Sequence, residues 1–354
     1  MPGTSFDAGA ALDRQPRYPL ARLPTPLHEA VRLRDALGGE MRCPRILLKR
    51  DDLTDLALGG NKARKLEFIV GDALRRGFTA LVTTGAVQSN HARMTAAAAS
   101  LAGLRCALVL ASDVASPEIQ GNLLLDRLLG ATVDFYEGGD DEDAERRERD
   151  AVDRVMDSLR AEGDSPLFVP VGGSTAVGTL GYVQAARELA DQLAGFDSPP
   201  SRLYYASGSR GTQAGLELGG RLLSASWQCI GIAVSGGEAV KRDRATAIAH
   251  EAAALLGCVV SLEADQCHTE QQYFGPGYAV PTPAGMDALA LLARTEGVML
   301  DPVYTAKAMA GMIDHISSGA IDPRETILFL HTGGSPGLFG HAARIASILP
   351  DARR

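Results

Sequence analysis

Segments that resemble buried strands alternate with segments that resemble amphipathic helices along most of this chain. The strand-like segments are short and almost uniformly apolar, as strands buried on both faces of a sheet are. This alternation predicts an α/β protein with parallel sheets flanked by helices. The predicted strands are 45–49, 80–84, 106–111, 133–136, 167–171, 203–206, 229–233 and 326–330. The predicted helices are 62–76, 90–102, 118–129, 141–161, 181–193, 213–224, 239–256, 286–295 and 306–316.

Length and composition fit two lobes or one large α/β unit, since 354 residues exceed the size of about 250–300 residues at which single cores stop growing. The net charge of −8 argues against nucleic acid as a partner. Five scattered cysteines without a CxxC pair argue against a disulfide framework or a structural zinc site, and we expect no metal. The N-terminus shows no secretory pattern and no long apolar run occurs, so we expect a cytoplasmic protein without a membrane segment.

A glycine turn places a lysine at the start of a predicted helix. Gly59 and Gly60 allow a sharp turn with positive φ, and Asn61 is a suitable N-cap for the helix that follows. Lys62 then lies in the first helical turn, where the helix dipole disfavours a cation. A lysine that loses its proton easily suits Schiff-base chemistry, whereas the ordinary alternative is a solvated lysine at a helix start.

Three more loops follow predicted strands. Residues 84–91 cluster hydroxyl and amide side chains, for which a helix cap is the simplest interpretation. Residues 207–215 are mostly small, so their backbone N–H groups could face an anion at the start of the next helix. This loop lacks the Gly-Lys-Ser/Thr ending of a P-loop and the G-x-G-x-x-G spacing of a Rossmann fold. Residues 328–335 run from a strand into another glycine turn.

Together these loops indicate pyridoxal phosphate (PLP) as the cofactor. PLP requires an amine for its aldehyde, an anion site for its phosphate and a partner for its pyridine nitrogen. The chain offers a reactive lysine, an anion-binding loop and hydroxyl groups, without nucleotide or metal signatures. Because ligands collect at the carboxyl ends of parallel strands, we expect the loops to converge on one cleft.

Six motifs resemble the family of D-cysteine desulfhydrases and 1-aminocyclopropane-1-carboxylate (ACC) deaminases. They occur in order between about Leu23 and Gly340, at residues 49–52, 59–67, 85–91, 276–278, 300–305 and 331–334. The resemblance implies a PLP-dependent enzyme of the tryptophan-synthase-β type, with the cofactor between two α/β domains, and a homodimer. We predict a small inserted domain over 62–171 and a large PLP-binding domain formed by 1–61 and 172–354.

The resemblance also implies roles for individual residues. Lys62 is similar to the lysine that binds PLP covalently, and Lys65, on the same helix face, is its rival. Asn90 is similar to the asparagine that bonds the phenolic oxygen of PLP, and Ser89 to the serine near the reacting carbons. The implied catalytic residues are Lys62, Ser89, Tyr278 and Tyr304. The implied cofactor contacts are Asn61, Lys62, Lys65, Asn90, Ser207, Gly208, Ser209, Arg210, Gly211, Thr212, Thr305, Thr332 and Gly333. The implied contacts of a small amino-acid substrate are Ser89, Asn90, His91, Tyr278 and Tyr304.

Arg210 departs from the family pattern, in which a small residue usually occupies this position of the phosphate loop. The sequence leaves two alternatives open. The guanidinium could add to phosphate binding, or it could point outward to solvent.

Two threonines distinguish the branches of the family. ACC deaminases resemble this chain but have Glu at the position of Thr305 and Leu at the position of Thr332, whereas D-cysteine desulfhydrases have hydroxyl residues at both. A carboxylate beside the pyridine nitrogen strengthens the electron sink that opening a cyclopropane needs, while expelling thiolate needs less. We therefore predict β-elimination of D-cysteine to pyruvate, ammonia and hydrogen sulfide, with the Lys62 amine removing the α-proton.

Three alternatives to this function remain. ACC deaminase is disfavoured by the two threonines. A related β-eliminating lyase, such as an L-cysteate sulfo-lyase, would share the same core, because substrate handedness and leaving group depend on the shape of the pocket. A non-catalytic PLP-binding regulator is the third alternative, and the joint presence of the four implied catalytic residues argues against it.

Overall fold

The computed structural model describes residues 6–139 and 141–346. Its strands are β1 (Leu27–Glu29), β2 (Arg45–Arg50), β3 (Ala80–Ala86), β4 (Arg105–Ser112), β5 (Thr132–Glu137), β6 (Pro166–Val169), β7 (Arg202–Ser207), β8 (Gln228–Ala233), β9 (Thr269–Glu270) and β10 (Thr326–His331). Its α-helices are α1 (Ala8–Asp13), α2 (Val31–Ala36), α3 (Lys62–Arg75), α4 (Asn90–Ala102), α5 (Gly121–Leu128), α6 (Ala144–Ala161), α7 (Ala176–Leu193), α8 (Gly211–Leu222), α9 (Glu238–Leu256), α10 (Pro283–Glu296), α11 (Thr305–Ser317), α12 (Pro336–Gly340) and α13 (Ala342–Ala346).

The strands form two sheets. One sheet has six strands in the order β1-β2-β10-β7-β8-β9, and the other has four in the order β5-β4-β3-β6. The β1–β2 pair is antiparallel, and the remaining pairs are parallel. Helices connect the parallel strands and cover the sheets. The predicted α/β class with parallel, helix-flanked sheets is therefore confirmed.

Helix α3 lies between elements of both sheets. On one side Leu66 and Val70 pack with Leu81 of β3 and Met94 of α4. Its other side packs against α7, which lies beside the six-stranded sheet. The four-stranded sheet is built from residues between 80 and 169, within the predicted small domain over 62–171. Helix α3 contacts elements of both sheets, and the division into a small and a large domain remains a proposal.

A buried ionic cluster holds α3 against the six-stranded sheet. Arg64 is fully buried and donates to both oxygens of Asp51 at 2.8 Å and to Glu188 of α7 at 2.8 and 3.0 Å. Lys49 also bonds Glu188, and the Tyr182 hydroxyl donates to Asp51 at 2.7 Å. Burial alone would raise the pKa of Asp51, but Arg64 outweighs it and holds that pKa below its ordinary value. Arg64, two positions after Lys62, therefore fixes the start of α3 to the six-stranded sheet.

No helix in the ranges 6–139 and 141–346 is both long and apolar enough to cross a bilayer. Over the same ranges no group of three or more His, Cys, Asp or Glu side chains is arranged to hold a metal ion. All five cysteines are free thiols.

Candidate active site

The carboxyl ends of strands from both sheets border one cleft with a volume of about 440 Å³. This volume lies within the range of roughly 300–1,000 Å³ that small-molecule sites occupy. The predicted site residues that line the cleft are Asn61, Lys62, Ser89, Asn90, His91, Ser207, Gly208, Ser209, Arg210, Thr212, Tyr278, Tyr304, Thr332 and Gly333. Lys65, Gly211 and Thr305 lie behind this lining.

Lys62 is half-buried, and its amine is held by the residue before it. The Nζ atom donates to Asn61 Oδ1 at 2.8 Å, and Asn61 Nδ2 donates to Thr212 Oγ1 at 3.1 Å. The prediction that the Asn61 side chain caps α3 is wrong, because its oxygen accepts from Lys62 instead of a backbone N–H. Asn61 therefore links the lysine to the predicted phosphate loop.

Burial lowers the pKa of Lys62 to about 8, the nearby Asp301 carboxyl raises it in part, and Arg93 lowers it further. The sequence predicted an easily deprotonated lysine but attributed it to the helix dipole. Desolvation is the larger cause, because a buried ammonium loses its hydration. At neutral pH about a tenth of such amines are neutral, which is enough for nucleophilic attack.

Lys65, the rival lysine, has a different environment. Its side chain is fully buried, and Nζ donates to the carbonyl of Gly172 at 3.0 Å. Burial and then the Lys62 charge hold the pKa of Lys65 well below its ordinary value. A Cβ added to Gly211 would lie 2.9 Å from this amine, so Lys65 approaches the start of α8 from behind the cleft.

The loop of residues 84–91 leads from β3 into the start of α4. Ser89 Oγ accepts from the Ala92 backbone N–H at 3.1 Å, which confirms the helix-cap interpretation. Asn90 Oδ1 accepts from Arg93 at 3.1 Å. His91 Nε2 and Thr83 Oγ1 are 3.0 Å apart, and burial holds the pKa of His91 well below its ordinary value, so this ring is neutral.

The loop after β7 presents backbone donors to the cleft. Among the residues that the structure describes, nothing accepts the backbone N–H groups of Ser209, Arg210 or Thr212. Ser174 Oγ accepts the Gly211 N–H at 3.1 Å and donates to Ser209 Oγ at 2.8 Å. These contacts fix the loop while its remaining donors stay free for an anion at the N-terminus of α8.

Arg210 adopts a left-handed conformation with φ of 72° and is almost fully buried. Its Nη1 donates to Gln213 Oε1 at 2.8 Å, and its Nη2 donates to Thr269 Oγ1 at 3.0 Å and to Glu238. The alternative that Arg210 points to solvent is therefore wrong, because its charge is paired inside the protein. Its Nε atom is left without an acceptor in the described part of the chain.

The far side of the cleft carries the tyrosines and threonines. The hydroxyls of Tyr278 and Tyr304 are hydrogen-bonded to each other. Burial raises the pKa of Tyr304 well above its ordinary value, so this phenol keeps its proton. Thr305 is fully buried, and its hydroxyl donates to Asp301 Oδ1 at 2.7 Å rather than facing the cleft. Thr332 does line the cleft.

The sequence interpretation missed several residues around the cleft. Arg93, Lys241 and Arg244 all line it, and Asp301 lies close enough to act on the Lys62 charge. Arg93 could have been found, because it lies three residues after Asn90 on one face of α4. Lys241 and Arg244 on α9 carry no local motif, so only the folded chain brings them to the cleft.

The residues present fit PLP. Buried polar atoms without a partner in residues 6–139 and 141–346 include four that belong to cleft residues: Thr84 Oγ1, His91 Nδ1, Arg93 Nε and Arg210 Nε. Such atoms are costly unless a ligand or water satisfies them. A partly neutral lysine and an anion-binding loop joined through Asn61 match the aldehyde and phosphate of PLP.

Comparison with known proteins agrees with this fit. Residues 19–333 match the family model described as pyridoxal-phosphate dependent enzyme. The chain is 43% identical over 334 residues to a D-cysteine desulfhydrase of Salmonella choleraesuis (strain SC-B67), covering 93% of this chain and 97% of the relative. It is 42% identical over 337 residues to one of Salmonella newport (strain SL254), with the same coverage.

Solved structures show the same relationship. A structure described as an ACC deaminase homologue superposes with a TM-score of 0.85 at 35% identity, covering 97% of this chain and 99% of that one. The processed form of threonine deaminase isoform 2 from Solanum lycopersicum shares the fold alone, with a TM-score of 0.63 at 18% identity and coverage of 98% and 89%. The chain belongs to the pyridoxal-phosphate-dependent enzymes and, among them, to the family of D-cysteine desulfhydrases and ACC deaminases.

Proposed function

We propose that this enzyme eliminates sulfide from D-cysteine and yields pyruvate, ammonia and hydrogen sulfide. The observation that carries the proposal is the placement of a partly neutral Lys62 amine in one cleft with Ser89 and the Tyr278–Tyr304 pair. The names of the relatives that are 42–43% identical over nearly their whole length support the choice of substrate. Threonine hydroxyls at positions 305 and 332 support the same choice.

The chain supplies the groups that hold the cofactor. Lys62 Nζ would bind its aldehyde carbon, and the free N–H groups of Ser209, Arg210 and Thr212 would bind its phosphate. Asn90 would bond its phenolic oxygen, as the family resemblance implies. When bound, PLP supplies the electron sink that stabilises negative charge at the α-carbon of the substrate.

The proton transfers belong to side chains. Lys62 Nζ, once free, would take the α-proton of the substrate, and a pKa of about 8 suits this amine to accept and return a proton near neutral pH. Sulfide leaves from the β-carbon with the electrons of the broken C–S bond. The 2-aminoacrylate that is released takes up water and becomes pyruvate and ammonia.

Ser89 and the tyrosines have supporting roles in this proposal. Ser89 Oγ caps α4 through the Ala92 N–H, yet a hydroxyl can still donate its own proton to a substrate carboxylate. Tyr304 remains a protonated phenol, so the tyrosine pair can donate a proton to the departing sulfur or bond the carboxylate. His91, neutral and buried, contributes no charge to the site.

The two enzyme alternatives differ in substrate. The structure described as an ACC deaminase homologue is consistent with either branch of the family. ACC deaminases have a glutamate at the position of Thr305. In this chain the Thr305 hydroxyl donates to the buried Asp301 carboxyl, and position 305 offers the cleft no carboxylate. A lyase for another β-substituted alanine, such as L-cysteate, would keep every role described above except the identity of the leaving group. We further infer a homodimer, as the family resemblance implies, and a cytoplasmic protein, for which the five free thiols are typical.

A panel of substrates tests the proposal. The full-length enzyme loaded with PLP is assayed for pyruvate release from D-cysteine, L-cysteine, β-chloro-D-alanine, L-cysteate and ACC. We expect D-cysteine to give the highest kcat/KM, with one sulfide released for each pyruvate. A higher kcat/KM for ACC or L-cysteate would replace the proposed substrate. No turnover of any of the five would contradict β-elimination itself.

A further inference from the structure

Arg93 is a fully buried arginine whose guanidinium joins two turns of the cleft. Its Nη1 donates to Asn90 Oδ1 at 3.1 Å and to Asn122 Oδ1 at 2.8 Å. Its Nη2 donates to the backbone carbonyl of Gly59 at 2.9 Å. One side chain thus contacts the turn that precedes Lys62 and the helix start that carries Asn90.

The turn before Lys62 has a backbone that needs such support. Asp55, Ala57 and Leu58 have positive φ values of 75°, 43° and 70°, followed by Gly59 and Gly60 at 73° and 134°. Left-handed conformations of non-glycine residues cost free energy and persist only when surrounding contacts hold them. A Cβ on Gly59 would lie 1.8 Å from the Asp52 carbonyl oxygen, so this turn is also tightly packed.

We propose that Arg93 is a positioning residue, which fixes the Lys62 turn against the Ser89–Asn90 turn and so sets where the lysine amine lies. The inference rests on the proposed role of Lys62. Asn122 extends the same link, because its Nδ2 donates to Asn90 Oδ1 at 3.0 Å and to the Gln88 carbonyl at 2.8 Å. Three hydrogen bonds from one planar group define an orientation that a lysine ammonium could not reproduce.

The charge of Arg93 also acts on the lysine. Besides burial, two charged groups act on the pKa of Lys62: Asp301 raises it, and Arg93 lowers it. Burial, and then the Lys62 charge, lower the pKa of Lys65 on the same helix, and burial holds the pKa of His91 below its ordinary value. Removing the charge of Arg93 therefore raises the pKa of Lys62 and lowers its neutral fraction at pH 7.

The carboxyl group that could balance the Arg93 charge is only partly ionised near neutral pH. Asp126 of α5 is the group that favours the charged form of Arg93, but burial raises the pKa of Asp126 to about 7. Neither Asp126 oxygen has a hydrogen-bond partner in the described residues, and Arg93 Nε has none either. Much of the guanidinium charge therefore remains available to repel the Lys62 ammonium.

Two substitutions separate geometry from charge. Arg93→Lys keeps the charge but loses the planar fork, and Arg93→Met loses both. Misplacing a reacting group by about 1 Å can cost roughly 10²-fold in rate, so we expect kcat on D-cysteine to fall about that much in both variants, with a smaller change in KM. Arg45→Lys is the control, since Arg45 donates to Glu29 at 2.8 Å, does not line the cleft and does not act on the pKa of Lys62, so its kcat should stay close to that of the wild type.

A second measurement does not depend on turnover. The full chain, freed of PLP with hydroxylamine, is acylated with acetic anhydride over a range of pH, and the rate at Lys62 is followed by peptide mass spectrometry. We expect Arg93→Met to slow acylation of Lys62 at pH 7 by about three- to tenfold, because each unit of pKa changes the neutral fraction about tenfold. Lys307 is the internal control, since burial, Asp301 and Arg344 set its pKa and Arg93 does not.

The outcomes are distinct. The proposal is supported if Arg93→Lys lowers kcat but leaves the Lys62 profile unchanged, while Arg93→Met changes both. A fall in melting temperature with kcat within twofold of the wild type would assign Arg93 a purely structural role and overturn the proposal. An unchanged Lys62 profile in Arg93→Met would overturn the electrostatic part. A cofactor found on a lysine other than Lys62 would instead contradict the proposed function.

Discussion

A single buried amine dominates the chemistry of this molecule at the scale of residues. Lys62 and Lys65 lie on one helix, and burial lowers the pKa of both amines, but they face different partners. Lys62 faces the cleft and Asn61, whereas Lys65 bonds the Gly172 carbonyl behind the phosphate loop. Position, rather than ease of deprotonation, therefore selects Lys62 as the residue that can reach the cofactor aldehyde.

This selection gives the first prediction. Borohydride reduction of the PLP-loaded enzyme, followed by digestion and mass spectrometry, should place the modification on Lys62. Lys62→Ala should lose turnover by several orders of magnitude, because both the covalent link and the α-proton acceptor disappear. Its folded structure should persist, which circular dichroism checks. A label on Lys65 in the wild-type enzyme would reverse the assignment.

The second prediction concerns Thr305 and Thr332. The double change Thr305→Glu with Thr332→Leu should weaken sulfide release from D-cysteine and raise turnover of ACC, since a carboxylate near the pyridine nitrogen strengthens the electron sink. Thr305 now donates to Asp301, so a glutamate there must turn from that buried carboxyl towards the cleft. A transition-state loss of about 1.4 kcal/mol would appear as a tenfold lower kcat/KM.

Two controls accompany this double variant. Thr305→Ser keeps a hydroxyl for Asp301 and should retain desulfhydrase activity. Thr305→Val removes the hydroxyl without adding charge, and it reports how much of the effect comes from the lost Asp301 contact. Full desulfhydrase activity in the double variant would refute the role of the two threonines while leaving the family membership intact.

At the scale of elements, strands and long helices were predictable because their signals are local. All eight predicted strands exist, with ends that differ by at most two residues at either end, and each predicted helix exists. The first residue of a helix was harder to predict where a capping side chain determines it. Helix α7 begins at Ala176 rather than 181, because Thr175 Oγ1 accepts from the Gly178 N–H and begins the helix a turn earlier.

The elements that were missed are short or depend on distant partners. Strand β1 pairs antiparallel with β2 at the edge of the large sheet, and β9 has only two residues. Neither carries enough alternation to be recognised. The buried cluster around Arg64 was also missed, because the sequence motif around residues 49–67 gives no sign that Glu188, far along the chain, completes it.

In the candidate site, too, local features were predictable from the sequence and long-range contacts were not. Loops that follow strands could be assigned from their residue types, and the structure brings them to one cleft. What the sequence did not reveal is which side chains are already committed to the fold. Arg210 pairs with Glu238, and Thr305 bonds Asp301, although both were predicted to contact the cofactor. Their roles towards PLP therefore remain proposals that rest on the family resemblance.

At the scale of the whole molecule, buried carboxyls of two kinds shape the dependence of stability on pH. Arg64 is the main charge that keeps the pKa values of Asp51 and Glu188 below their ordinary values against the opposing effect of burial. Their contribution to stability is present above the unfolded pKa and is lost as the pH falls through the folded pKa. Asp126 behaves in the opposite way, since burial raises its pKa from 3.8 to about 7.

Asp126 gives the last prediction. Between about pH 4 and pH 7 the folded state keeps the Asp126 proton that the unfolded state has lost, so this group makes the protein less stable as the pH rises. Asp126→Asn imitates the protonated form at every pH. The stability of the variant relative to wild type should therefore increase between pH 5 and pH 8 by roughly 2.5 kcal/mol, since about two units lie between pH 5 and the folded pKa and each unit is worth roughly 1.4 kcal/mol. Urea unfolding of both proteins at the two pH values measures it, with the exposed Asp153→Asn as control. A relative stability that is the same at both pH values would show that Asp126 is ionised in the folded protein, and its carboxylate would then balance the Arg93 charge that we infer acts on Lys62.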